Sequence, residues 1–167
     1  MINEDAFLSV VDDHKGILYK VANSYCRNEE DRKDLVQEII FQLWRSFEKY
    51  DSRFRYSTWI YRIALNVAIS FYRREKAGGP VSLEITEAAL SFSDSHQNEE
   101  KENDLTILQQ FISGLKELDR ALMLLYLEEK SYREIAEIIG ITETNVATKI
   151  ARIKTKLRQQ FAQAKNE

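Results

Sequence analysis

Between Ala77 and Asn103 the sequence loses the helical rhythm that governs both of its flanks, and no other feature limits the fold as much. Ala77-Gly78-Gly79-Pro80 contains the only proline in the chain. Proline lacks the amide that a helix interior needs and clashes with the preceding turn, so a helix arriving here must stop. From Val81 to Asn103 the residues are mostly Ser, Glu, Asp, Gln and Asn, and the few apolar ones, such as Leu83, Ile85, Leu90 and Phe92, keep no long period. A segment of this kind buries too little apolar surface to offset the entropy of ordering it, and it reads as a flexible acidic linker. Stretched at about 3.3 Å per residue, it would reach roughly 75 Å. The 167-residue chain is therefore expected to be all-α, with two small helical domains at 1–77 and 104–167 joined by a linker at 78–103. Two thin cores are only marginally stable alone, which favours a partner that clamps them.

Before the interruption, Phe7, Val11, Ile17, Leu18, Val21, Ala22 and Tyr25 follow helical spacing within residues 5–27. Asn28 then precedes Glu29, Glu30 and Asp31, a cap followed by acids where the helix dipole favours them. The helix this starts runs to about residue 48, with an apolar face of Leu35, Val36, Ile39, Ile40, Leu43, Trp44 and Phe47. A polar, aromatic-rich break spans Lys49 to Tyr56. Ser57 or Thr58 can cap a third helix that extends to about Lys76 and buries Ile60, Ile63, Ala64, Val67 and Phe71.

After the interruption, Leu105, Leu108, Phe111, Ile112 and Leu115 restore the period, and a further helix starts near Asp119 with Leu122, Leu125 and Tyr126. Ser131-Tyr132-Arg133-Glu134 has the form of a capping box, Gly140 suits a left-handed stop, and Thr142 can cap a long last helix to about Gln163. Short helix, glycine turn and capped second helix make a helix-turn-helix. Its packing corner would be Ile135, Ala136, Ile139, Ile141, Val146 and Ile150. Asn145, Lys149, Arg152 and Lys156 form a polar stripe, and Thr144, Thr148 and Ala151 form a small-residue face that could enter a major groove.

Composition removes several alternatives. Cys26 is the single cysteine, so no internal disulfide framework exists. No apolar run approaches the roughly 20 residues of a membrane span, and the acidic N-terminus lacks the form of a signal peptide. A cytoplasmic protein without direct membrane insertion is expected. His14 and His96 have no metal-ligand spacing with each other or with Cys26, and no glycine-rich phosphate loop or nucleophile motif occurs. No metal, cofactor or catalytic residue is expected. The net charge of −3 hides a pattern. Lys149, Arg152, Lys154, Lys156 and Arg158 form one basic run, and Arg45, Lys49, Arg53, Arg55, Arg62, Arg73, Arg74 and Lys76 form another, with acids between.

Asp34-Leu35-Val36-Gln37-Glu38 and the stretch Ser57 to Asn66 resemble region 2 of the extracytoplasmic-function (ECF) sigma factors, the smallest group of the sigma-70 family. Leu118-Asp119-Arg120, Ser131 to Ile141 and the helix after Thr142 resemble their region 4. The resemblance implies a subunit that binds core RNA polymerase and directs initiation at promoters. Asp34, Gln37, Glu38 and Gln42 would face the polymerase β′ clamp helices, and region 4 would meet the β flap. Ser46, Lys49, Tyr50, Asp51, Ser52, Arg53, Phe54 and Asn66, with Arg62, Arg73 and Arg74, would hold the melted −10 strand. Tyr50, Phe54 and Tyr56 interleave with Lys49, Arg53 and Arg55, as strand gripping by stacking and phosphate contact requires. The same aromatics could instead roof the region 2 core, and Trp59 reads as core or stacking wall.

Thr144, Asn145, Ala147, Thr148, Lys149, Ala151, Arg152, Lys154 and Lys156 would meet the −35 duplex. Many relatives carry Arg or Lys at the position of Ala147, an acid near Ser70 and a proline at Asp119, which can still cap. The resemblance also implies an anti-sigma factor as a partner. Two other readings are a sigma-like module that sequesters an anti-sigma factor and a simple helix-turn-helix repressor, the second of which leaves the Asp34–Asn66 block unexplained.

Overall fold

A computed structural model describes residues 2–77 and 99–166 of the chain. The described residues form eight α-helices and one 3-10 turn, and no strand occurs among them. The chain divides into two compact units, Met1–Ile85 and Thr86–Glu167. Residues 78–98, where the sequence places most of the acidic linker, lie outside the described residues.

The first unit holds α1 (Glu4–Asp13), α2 (Lys15–Tyr25), α3 (Glu29–Ser46), a 3-10 turn (Phe47–Lys49) and α4 (Tyr56–Ala77). Its core is the meeting of α2, α3 and α4. Leu18, Val21, Ala22 and Tyr25 face Leu35, Ile39 and Leu43, and Ile60, Tyr61, Ala64, Leu65 and Ala68 close the third side, all buried. The three alanines let the helices approach closely while the larger side chains interlock around them. Asn28 caps α3 as its sequence requires, accepting the Asp31 amide at 2.7 Å. Cys26 is buried, and that burial, above neighbouring charges, pushes its thiol up to about 12. It is a core residue.

Three expectations for this unit change. Residues 5–27 are two helices, broken at His14, whose Nδ1 lies 2.8 Å from the Val10 carbonyl. The apolar stripe runs through the break without changing phase, so spacing alone could not reveal it. Helix α4 begins at Tyr56, which puts Ser57 and Thr58 inside its first turn rather than at its cap. Its buried face is Ile60, Tyr61, Ala64, Leu65 and Ala68, while Ile63, Val67 and Phe71 are only half-buried. Packing on both α2 and α3 rotates the contact face toward the small residues.

The second unit holds α5 (Glu99–Gly114), α6 (Glu117–Leu127), α7 (Tyr132–Ile139) and α8 (Glu143–Lys165). Phe111, Ala121, Leu122, Met123, Leu125, Ile135, Ile138, Val146, Ile150 and Ile153 form its core. Arg120 is buried among them at 4% exposure. Its Nη2 donates to the carbonyls of Ser113 at 2.6 Å and Leu115 at 3.4 Å. The end of α5 leaves carbonyls without helical partners and carries the negative end of the dipole, so a buried cation is stabilised there.

Here too the structure departs from expectation. Helix α5 starts at Glu99, within the stretch assigned to the linker, because Glu and Lys are good helix formers and acids suit a first turn. Helix α6 starts at Glu117 with Lys116 in the cap position, so Asp119 lies in the first turn and does not cap. Of the capping box at α7, the Ser131 half forms, accepting the Glu134 amide at 3.1 Å. The Glu134 carboxylate lies 4.0 Å from Lys130 Nζ.

Two helix ends in this unit turn left-handed with opposite chemistry. Gly140 ends α7 at φ 83°, ψ 33°, and a Cβ there would meet nothing within 4 Å. Glu129, just past the Glu128 cap of α6, takes φ 60°, the one non-glycine residue with positive φ among those described. Glu129→Gly is therefore expected to stabilise the unit by about 0.5–1 kcal/mol, and Gly140→Ala to destabilise it by about 1 kcal/mol, since only backbone conformation differs. Urea titrations of the two variants check both signs.

Candidate nucleic-acid and polymerase interfaces

The loop from the 3-10 turn into α4 rests on a chain of aromatic rings. Phe7, the only buried residue of α1, meets Trp44 and Phe47 edge-on at centroid distances of 5.0 and 5.3 Å. Phe47 leads to Trp59 at 6.2 Å, and Trp59 to Tyr50 at 5.3 Å. Tyr50 then stacks on Tyr56 at 4.2 Å with planes 16° apart, and Tyr56 reaches His14 at 6.3 Å. The Tyr50 hydroxyl donates to the Phe54 carbonyl, which ties the two ends of the loop. Burial, helped by Tyr56 and Asp51, raises that hydroxyl above its ordinary value, so it stays protonated and able to donate. Tyr50 and Tyr56 thus roof the unit and use one face each on the other. Phe54 lies under the guanidinium of Arg62, 5.3 Å from its ring centre.

Within the loop, Asp51 takes a fork from Arg53. Arg53 Nη2 donates to Asp51 Oδ2 at 2.7 Å and Nε to Oδ1 at 3.0 Å, and the Arg53 amide also donates to Oδ1 at 3.0 Å. The side chain of Arg53 is nonetheless 84% exposed. Lys49 and Ser52 are exposed and Ser46 is half-buried. At 100° per residue, Arg62, Asn66 and Arg73 fall within about 40° of one another on α4. Arg74 lies about 120° from Arg62 on the same wheel. It turns to α3, where its Nη2 donates to both carboxylate oxygens of Glu38 at 3.1 Å. Among the expected strand-binding residues, Arg62 links its stripe to the loop through Phe54, and Arg74 lies off that stripe.

On α3, Asp34, Glu38, Phe41 and Arg45 lie within about 60°. Asp34 and Gln37 are exposed; Glu38 and Gln42 are half-buried. Phe41 is 55% exposed, with the Arg45 guanidinium 5.7 Å from its ring centre. The sequence reading missed Phe41, although an aromatic residue off the apolar face of an amphipathic helix is a signal. Beside Gln37, a groove of about 310 Å³ between α2 and α3 is lined by Tyr19, Asn23, Arg32, Lys33 and Val36.

In the second unit, Thr142 caps α8 by accepting the Asn145 amide at 3.1 Å. Thr144, Asn145, Thr148, Ala151, Arg152 and Lys156 are exposed along one side, while Ala147 and Lys149 are half-buried at its margins. The Thr148 and Thr155 hydroxyls each donate at 3.0 Å to backbone carbonyls one turn back, those of Thr144 and Ala151. Lys154 is apart from this set. Its ammonium sits 4.3 Å from the centre of the Tyr126 ring, on the side of α8 that faces α6.

Two comparisons of sequence bear on this arrangement. Residues 10–78 match the sigma-70 region 2 family, and residues 105–157 match sigma-70 region 4. The ECF RNA polymerase sigma-E factor of Haemophilus influenzae is 31% identical over 147 residues, covering 81% of this chain and 78% of the relative. The chain belongs to the ECF sigma factors. The ECF RNA polymerase sigma factor SigW of Bacillus subtilis is 29% identical over 169 residues, covering 95% of this chain and 90% of that relative. Two solved structures share the fold. CnrH in complex with the cytosolic domain of CnrY superposes with TM-score 0.68 at 21% identity, covering 96% and 90% of the two chains. The sigma factor RpoE with the anti-sigma factor NepR from Bartonella quintana gives 0.62 at 20% identity, covering 95% and 96%. As an ECF sigma factor this chain is a promoter-directing subunit of RNA polymerase, and sigma factors are non-enzymatic regulators of transcription. No described helix is long and apolar enough to cross a membrane.

The Asp51–Arg53 fork has a pH signature. Hydrogen bonds from Arg53 hold the Asp51 carboxyl below its ordinary value. The fork is therefore complete above the ordinary carboxylate range and is lost as pH falls through the lowered value in the folded chain. An NMR titration of the Asp51 carboxyl should give a midpoint below that of an unpaired aspartate, and Arg53→Gln should move it back up. A midpoint that ignores the substitution would mean that the fork does not form in solution.

Proposed function

We propose that the two units divide the recognition of a promoter between them in residue-specific ways. The observation that carries this reading is the exposed side of α8, where small residues are flanked by Lys149, Arg152 and Lys156 beneath a glycine turn. A helix with that profile can sink into a major groove while long cations reach phosphates on either side. Thr144, Asn145, Ala147, Thr148 and Ala151 would face the bases of the −35 duplex. Lys154, held over Tyr126, would brace α8 against α6 instead of reaching the backbone of the DNA.

In the first unit, Asp34, Gln37, Glu38, Phe41 and Gln42 would dock on the β′ clamp helices of core RNA polymerase. The loop Lys49–Phe54, with Arg62, Asn66 and Arg73, would hold the non-template strand of the −10 element after it opens. Tyr50 and Tyr56 would serve as a stiff platform beneath the loop, because each already spends one ring face on the other. Opening needs no nucleotide: preferential binding of the single strand draws the duplex equilibrium toward it. The chain would act in the cytoplasm, perform no catalysis of its own, and be held inactive by an anti-sigma factor until released.

Adding the chain to sigma-free core RNA polymerase on a genomic DNA library should yield discrete transcript starts that share −35 and −10 motifs. Core binding without initiation would instead favour a sequestering module, and duplex binding without core binding a repressor. In duplex binding, Arg152→Ala and Lys156→Ala should each reduce the salt slope by about 0.9, one phosphate contact. Lys154→Ala should leave that slope unchanged.

A further inference from the structure

One ion pair joins the edges of the two surfaces on the first unit. Glu38 lies on the α3 stripe with Asp34, Phe41 and Arg45, and Arg74 follows Arg73 at the end of α4, about 80–120° round the helix from the stripe of Arg62, Asn66 and Arg73 and turned to α3. The pair spans 36 positions of sequence, and its side chains are 62% exposed at Arg74 and 36% at Glu38. Both carboxylate oxygens share the same guanidinium nitrogen, Nη2, at 3.1 Å. That is a bifurcated contact, less favourable than a fork in which two nitrogens each meet one oxygen. The guanidinium also lies over Phe71 of its own helix, 5.8 Å from the ring centre, which keeps it near the helix when the carboxylate lets go.

We infer that Glu38 withholds Arg74 from nucleic acid in the unbound chain, and that a basic partner surface docking on α3 releases it by taking Glu38 for itself. The inference rests on the reading above, in which α3 meets polymerase and the end of α4 meets the open strand. Its logic is competition. A carboxylate engaged by a partner cation no longer holds Arg74 at full strength, and a guanidinium engaged by phosphate no longer holds Glu38. Each binding event therefore favours the other, and thermodynamic linkage makes the effect reciprocal. The pair is exposed and breakable, as an exchange between partners requires. Its influence is correspondingly modest, about two- to fivefold in affinity, as expected for a surface ion pair.

The test measures binding of a fluorescent single-stranded oligonucleotide to the whole chain by anisotropy across a salt series. Four forms are compared: the natural chain, Glu38→Gln, Arg74→Gln and the double variant. Glu38→Gln should bind about two- to fivefold more tightly, with a salt slope steeper by about 0.7, one added phosphate contact on a single strand. The gain should vanish when Arg74 is also replaced. By reciprocity, Arg74→Gln should bind core RNA polymerase more tightly by a similar factor.

If Glu38→Gln gains nothing while Arg74→Gln weakens strand binding, the inference falls and the DNA-facing reading of Arg74 stands. If the gain persists in the double variant, it reflects only the loss of a negative charge and the inference falls. Arg74→Gln alone should weaken strand binding less than it does in the Glu38→Gln background, because Glu38 withholds the guanidinium; an equal loss in both backgrounds would mean that Glu38 withholds nothing, and the inference falls. If polymerase binding does not tighten in Arg74→Gln, the proposed link to docking is overturned.

Discussion

A chain built from short helices has many helix ends, and every end leaves amides or carbonyls without intrahelical partners. Satisfying them is the constraint on which the rest of this protein depends. Asn3, Asn28, Ser131 and Thr142 each accept an amide at a helix start. Arg120 covers carbonyls at the end of α5 from inside the core. These bonds fix the residue at which each helix begins or stops, and hence which residues face outward along its length. A shift of one residue at Thr142 would turn the whole of α8 by about 100° and carry Thr148 away from the exposed side.

The parts of the fold that were legible in the sequence are those decided locally. The limits of α7, the left-handed turn at Gly140 and the caps of α3 and α8 follow from side chains within three or four positions of the backbone groups they serve. The parts that were not legible are those decided at a distance. Arg120 reads as one more surface arginine until α5 and α6 are folded together. Lys154 belongs to a basic run in the sequence, yet Tyr126, 28 positions earlier, draws it aside. Arg74 is likewise diverted by Glu38. In a helix-rich protein, cation count along the chain overstates the cations available to a polyanion, because aromatic faces and carboxylates on neighbouring helices claim some of them first.

The aromatic loop shows how a structural role and a binding role can coexist. Tyr50, Tyr56, Trp59 and Phe47 hold one another in place, so the loop above them starts from a defined shape. A single strand meeting that loop would lose less free energy to ordering the protein than it would on a mobile loop. The same rings tie α1 to the unit through Phe7, so the shape of the loop and the attachment of the first helix share one support.

The hydroxyl of Thr148 has a preferred polarity. Its proton is already given to the Thr144 carbonyl, so what it turns outward is lone pairs. Held in this way it can accept a hydrogen bond but has none to donate. In a major groove, acceptors match the amino groups of adenine and cytosine, whereas guanine O6 and thymine O4 ask for donors. At that position α8 would then lean toward amino-bearing bases, a bias set by the helix backbone and not by the identity of the side chain alone.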